Sequence, residues 1–238
     1  MQSGMDTISE SVAVALGLVA HLDPRLTEIV GLSLSVSLTA TLIAAVIGLP
    51  LGAAIAIGRF PGRAPLIVVL NAAMGLPPVV VGLFVYLLLS RAGPLGPFGL
   101  LFTPPAMVIA QTVLIVPIVA ALTRQFVEDA WSEYREQLAS LRSSWLQSTA
   151  TLLWDTRWSL ATVLLAGFGR AAAEVGAVMI VGGNIDGVTR VMTTAIALET
   201  SKGDLPLALG LGLVLITLVM ALNVGAHVTR HYARLRFG

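Results

Sequence analysis

Two ionisable side chains, Arg170 and Glu174, stand four residues apart in GFGRAAAEVGAVMIVGG, a stretch with no other charge. An arginine near the middle of a bilayer costs about 2.5–3.5 kcal/mol to insert, so it has to be paired, hydrated or both. On one continuous helix the i, i+4 spacing puts the carboxylate on the same face as the guanidinium. Such a pair serves one of two ends. It can neutralise itself and hold helices together, or it can stand on the path of a polar substrate; the spacing leaves both open.

Other chemistry is missing from the sequence. There is no G-x-x-x-x-G-K-[ST] loop to cradle ATP phosphates, no H-E-x-x-H and no G-x-S-x-G. Cysteine is absent, which removes disulfides, thiolate metal sites and cysteine nucleophiles together. The three histidines, His21, His227 and His231, fall near the ends of apolar stretches, where a solvated side chain is the simplest reading. No catalytic residue, metal ligand or cofactor is assigned, and the chain is read as a non-enzyme.

The elements that must position Arg170 and Glu174 are membrane helices. With 56% hydrophobic and 11% charged residues and a mean hydropathy of +0.90, 238 residues carry too little polar surface to cover a soluble domain. Five stretches are long enough to cross about 30 Å of hydrocarbon, which takes roughly 20 residues. They lie near 29–57, 65–89, 106–122, 159–183 and 205–228. Two shorter apolar pieces, Ile8–Leu22 and Val188–Leu198, read as interfacial or re-entrant helices, and residues 1–26 as an interfacial helix with its linker. The N-terminus lacks the basic start and the A-x-A site of a cleaved signal peptide.

Several spans carry devices for close packing or for breaking a helix. Gly48 and Gly52 flank Pro50 in the first, small residues at i and i+4 that let backbones approach. In the second, Met74-Gly-Leu-Pro-Pro-Val-Val-Val-Gly82 places Pro77 and Pro78 in mid-span, and the carbonyls they leave without donors have to face protein or water.

Residues 123–158 differ from the rest: they hold all four tryptophans and nine charged residues. Leu138, Leu141, Trp145 and Leu152 recur at roughly helical spacing, which predicts a helix over Glu136–Leu152 with one apolar face. A Trp-bearing polar insert between spans is a docking surface for a partner outside the bilayer. With the N-terminus outside, Arg59, Arg63, Arg124, Arg135, Arg142, Arg157, Arg230, Arg234 and Arg236 gather in the cytoplasm, nine against four outside (Arg25, Arg91, Arg190 and Lys202). The C-terminus and the basic tail 230–238 are then cytoplasmic as well.

At this point the residues carry a resemblance. SLSVSLTATLIAAVIGLPLGAAIAIGRFPGR, NAAMGLPPVVVGLFVYLLLSRAGPLGPFGLLFTPPAMVIAQ and GFGRAAAEVGAVMIVGGNIDGVTRVMTTAIALETSKGDLPLALGLGL are similar to passages of bacterial ABC importer permeases of the type I fold, tungstate-type and related to molybdate permeases. In such permeases an acidic residue followed by Gly-Ala recurs with an outer Gly-Asn, here Glu174, Gly176-Ala177 and Gly183-Asn184. The resemblance implies an all-α transmembrane domain over 27–229 with five helices. It implies a homodimer in a bacterial or archaeal plasma membrane, two copies of a separate ATP-binding subunit and an external substrate-binding protein. Tungstate or molybdate is the implied cargo. Nucleic acid is not an expected partner.

The cytoplasmic coupling motif of the family, Glu-Ala-Ala with a glycine beyond it, matches Glu136, Gln137, Leu138 and then Ala139, Ser140, Leu141, Arg142; arginine stands at the glycine position. The expected ATPase contact is therefore Glu136, Gln137, Leu138, Ala139, Leu141, Arg142 and Trp145. Arg170, Glu174, Pro77, Pro78 and Asn184 are the candidate lining of the translocation path. A channel or secondary transporter that runs without ATP would share the broken helices and the charge pair but has no use for the Trp-rich insert.

The charge asymmetry makes one direct prediction. In this cysteine-free chain, Ser143→Cys and Ser201→Cys are expected to react with membrane-impermeant thiol reagents from opposite sides of the membrane. Labelling from the same side removes the coupling-loop reading.

Overall fold

The structure is a computed structural model. It describes residues 23–237, with residues 13, 14, 16, 17, 20 and 21 ahead of them; in the last helix side chains are described through Gly225 and at Val228. Most of the interfacial piece Ile8–Leu22 and the side chains of the tail 230–238 lie outside the described residues.

Among the described residues the chain is helical and has no strand. In order come α1 (Pro24–Ile57), α2 (Arg63–Met74), α3 (Pro78–Leu89), a 3₁₀ turn (Gly96–Phe98), α4 (Pro104–Ser140), α5 (Trp145–Asp155), α6 (Arg157–Ala172), α7 (Gly176–Gly182), α8 (Met192–Lys202) and α9 (Leu205–Phe237). Three of these, Pro24–Ile57, Pro104–Ser140 and Leu205–Gly225, are long and apolar enough to cross a membrane alone. The pairs α2 with α3 and α6 with α7 each qualify together as a broken span, which brings the total to five.

Prolines act differently according to their surroundings. Pro50 and Pro117 sit inside α1 and α4 without ending them. At Pro77-Pro78 two consecutive N–H groups are missing, and the ladder does stop: α2 closes with Gly75 N donating to Ala72 O and Leu76 N to Ala73 O, and Pro78 opens α3. The other break, at 173–175, contains no proline.

Two compact units divide the chain. One holds the described part of 1–39 with 78–111 and 172–221. In its core Leu26 and Ile29 pack with Met192, Ala195 and Leu211. Ser33 Oγ donates to Ile29 O and accepts from Met192 N, tying α1 to the start of α8. Gly82 of α3 meets Ala177 of α7 so closely that a Cβ on Gly82 would lie 2.7 Å from Ala177 Cα. Beyond α7, Gly183 takes φ +72° under the Phe102 ring, while Phe102 N donates to Val181 O.

The other unit holds 40–77, 112–171 and the described part of 222–238. Here α1 and α4 touch backbone to backbone, as the Gly48/Gly52 spacing predicts. A Cβ on Gly48 would stand 2.8 Å from Val119 Cγ1, and one on Gly52 would collide with Ala120 O. Below this contact Ala53, Ala56, Ile57, Val127, Ala130, Leu138 and Leu152 form one buried cluster, edged by Trp131, Tyr134 and Leu153. Arg63 closes the end of α1: its Nε donates to Ile55 O at 2.8 Å, and its Nη2 to Ala56 O and to Glu128 Oε1. Arg124 pairs with the same Glu128 carboxylate.

The close approach sets an expectation. Gly52→Leu must separate two helices and should lower stability by about 1–3 kcal/mol, the usual cost of overpacking. Gly31→Ala, in the same helix with nothing within 4 Å of its Cβ, should be neutral or slightly stabilising. Thermal unfolding in detergent compares the two; equal midpoints would show that the helices have room to move apart.

Candidate functional site

The insert over 123–158 is built from the ends of two helices rather than from a loop. α4 runs unbroken past Leu122, where the third span was expected to end, as far as Ser140. Nor does the expected helix over Glu136–Leu152 exist as one piece. Ser143 N donates to Leu138 O and Arg142 N to Ala139 O, closing α4. Ser144 then caps α5 in a capping box with Gln147, the side-chain oxygen of each accepting the other's backbone N–H.

This turn splits the apolar stripe in two. Leu138 and Leu152 are buried in the same internal cluster and present nothing to a partner. Leu141, Trp145 and Leu146 are exposed, at 75%, 49% and 71%. Arg142, at the motif's glycine position, has φ +51°. The arginine therefore adopts the left-handed conformation that glycine takes at little cost.

Between the end of α1, the last turns of α4 and the start of α5 lies a groove of about 760 Å³. Trp131 and Trp145 line it together with Arg59, Phe60, Arg135, Glu136 and Ala139. Of the expected contact residues the structure thus gathers Glu136, Ala139 and Trp145. Gln137 is exposed, its carbonyl accepting from Leu141 N and Ser140 Oγ. The remaining tryptophans have other surroundings: Trp154 and Trp158 bracket Arg157, whose guanidinium carbon lies 4.8 and 5.6 Å from their ring centroids. Asp155 first, then Glu133, raises the pKa of the Tyr134 hydroxyl above its ordinary 10.

The candidate path residues are distributed as follows. Arg170 is half-buried in the last turn of α6. Glu174 is 4% exposed in the break before α7, where Oε1 accepts from Ala177 N at 3.1 Å and its carbonyl accepts from Thr193 Oγ1. The helix is interrupted between the two residues: Glu174 lies just ahead of Val175, the N-cap of α7, and its carboxylate reaches the first turn at Ala177 N. Asn184, at φ +53°, donates from Nδ2 to Thr194 O at 3.4 Å, and its Oδ1 is buried without a partner. Gly75, Leu76 and Pro77 are exposed. Sequence reasoning passed over Asn71, an exposed amide without a hydrogen bond one turn before that break. Its signal was a single polar residue ahead of Gly-Leu-Pro-Pro.

Because the Arg142 side chain is exposed, the backbone dominates its energetics. Arg142→Gly should raise the midpoint of thermal unfolding by the equivalent of about 0.5–1 kcal/mol. A lower midpoint would mean that the side chain, not the φ angle, holds the turn.

No protein-family model matches the chain. The chain is 42% identical over 219 residues to the tungstate uptake system permease protein of Peptoclostridium acidaminophilum, covering 92% of this chain and 96% of that one. It is 39% identical over 203 residues to a probable anion ABC transporter permease protein of Haloferax volcanii, covering 83% and 88%. A tungstate uptake system permease protein of Campylobacter jejuni is 42% identical over 159 residues, 67% of this chain and 66% of that one. A chain whose described residues are helical, with paired broken spans and a grooved polar insert, and which is similar over nearly its whole length to such proteins, belongs to the permease family of ABC importers.

Proposed function

We propose that the chain is the membrane subunit of an ATP-driven importer of tungstate, with molybdate, a dianion of the same shape, as the alternative cargo. Similarity along nearly the full length to tungstate uptake permeases supports the cargo. A separate ATPase supplies the energy, and an external binding protein delivers the ion. Two permease copies surround one route.

The observation that carries the assembly is the exposed break at Gly75–Pro77. Non-helical backbone in the middle of a span cannot face lipid, because lipid offers its carbonyls no donor. A second copy flanking a hydrated route supplies both protein and water. The breaks at 75–77 and 173–175 are accordingly the parts of the chain assigned to the route, with Pro77, Pro78, Arg170, Glu174 and Asn184 as its candidate residues. Glu174 serves the route by holding the start of α7.

On the cytoplasmic side the ATPase docks at the turn over 141–144 and the adjoining groove. Trp145 combines half exposure with a position on the groove wall, as a buried anchor at an interface requires. Arg59 and Arg135 against Glu136 leave the groove lining net positive, which suits an acidic knob on the partner. Arg25, Glu28, Asp186 and Arg190 line a smaller, mixed-charge cavity of about 280 Å³, our choice for the binding-protein contact. ATP binding would shift the pair between outward-open and inward-open states, with no chemistry in this chain.

Trp145→Ala should weaken association with the ATPase by about 2–4 kcal/mol. The expected result is a complex that separates in detergent while the permease elutes as folded protein, and vesicles that no longer take up tungstate. A complex that stays together with normal uptake would place the docking surface elsewhere.

A further inference from the structure

Among the described residues, Asn71 is an exposed amide whose side chain makes no hydrogen bond; Gln125 and Gln137 share that description but lie among the charged residues at the end of α4. Gln111 is 3% exposed in α4, and Asn223 in α9 has a partner. Around Asn71 the helix reads RAPLIVVLNAAM, with Val68 and Val69 at 66% and 64% exposure. Nothing about this stretch resembles a solvated surface. Four residues later comes Gly75, the first residue of the exposed break. At about 100° per residue, Asn71 and Gly75 lie within about 40° of each other around the axis. The amide and the opened backbone therefore share one side of the segment, and hydrocarbon satisfies neither.

We propose that Asn71 lines the route of the imported oxyanion and donates its Nδ2–H groups to the ion as it passes. This inference rests on the reading of the chain as an oxyanion importer. The chemistry fits the cargo: a tetrahedral oxyanion offers only acceptors, and a carboxamide supplies two N–H donors that replace part of the lost water. A neutral donor also differs from arginine in what it does next. Without a full charge it lets a dianion leave, where a fixed cation at low dielectric would hold it. The carboxamide oxygen remains an acceptor for water when no ion is present.

The test uses the complete transporter, with ATPase and binding protein, in vesicles supplied with tungstate or molybdate. Asn71→Leu, which removes the donors, and Asn71→Asp, which replaces them with a negative charge, should assemble and hydrolyse ATP yet lose about tenfold or more of their uptake. Asn71→Gln keeps the donors and should keep most of the uptake. Wild-type uptake in Asn71→Leu and Asn71→Asp overturns the proposal.

A labelling measurement covers variants that fail to assemble. A charged, water-soluble thiol reagent should modify Asn71→Cys, more slowly with tungstate present, and should leave Val69→Cys untouched. An unreactive Asn71→Cys, or one that joins two copies through a disulfide, also overturns the proposal, since the amide would then face lipid or its own counterpart. Failure of the wild-type transporter to import either ion would instead sink the importer reading and this inference with it.

Discussion

Everything in this chain depends on one constraint: a backbone N–H or C=O inside the hydrocarbon has to find its partner within protein or water. Long helices meet that condition by themselves, and α1 and α4 lack only the one N–H missing at each of Pro50 and Pro117. Where the ladder stops, the fold supplies substitutes. At 173–175 the Glu174 carboxylate accepts from Ala177 N and its carbonyl takes the Thr193 hydroxyl. At 75–77 the chain supplies only two short-range bonds from Gly75 and Leu76, and the rest is left open. The first break is finished within the chain; the second is finished by whatever surrounds it.

Much of this was legible from local patterns. Gly48 and Gly52 announced a close helix contact because small residues at i and i+4 have few other uses in an apolar segment, and the contact is there. Pro77-Pro78 announced a break because two adjacent residues without N–H cannot continue a ladder. The polar insert was equally plain from its composition. Its residues met the structure unevenly, because spacing says which residues share a helical face only while the helix lasts.

What escaped were the places where long-range geometry overrode local preference. A run such as GRAAAEVGAV has no proline, yet the helix breaks at 173–175, where the buried Glu174 carboxylate accepts from Ala177 N. The turn at 141–144 was hidden for a related reason. Arginine at 142 does not announce a positive φ as glycine would, so LASLRSSWL reads as continuous helix until the carbonyls of Leu138 and Ala139 are seen to accept from Ser143 and Arg142. Leu138 and Leu152 then turn inward to a common cluster, and two residues that looked like an interface become its foundation.

One feature of α4 has a mechanical meaning. Its 37 residues amount to about 55 Å of helix, against the roughly 30 Å that hydrocarbon requires, so a membrane span uses little more than half of it. Tilting a rod of that length by about 10° carries its tip roughly 10 Å. Such a stalk needs no soft hinge of its own to turn a small rocking motion into a stroke comparable to the width of a helix. Pro117, the one position where its ladder lacks a rung, is where the stroke would be absorbed or passed on.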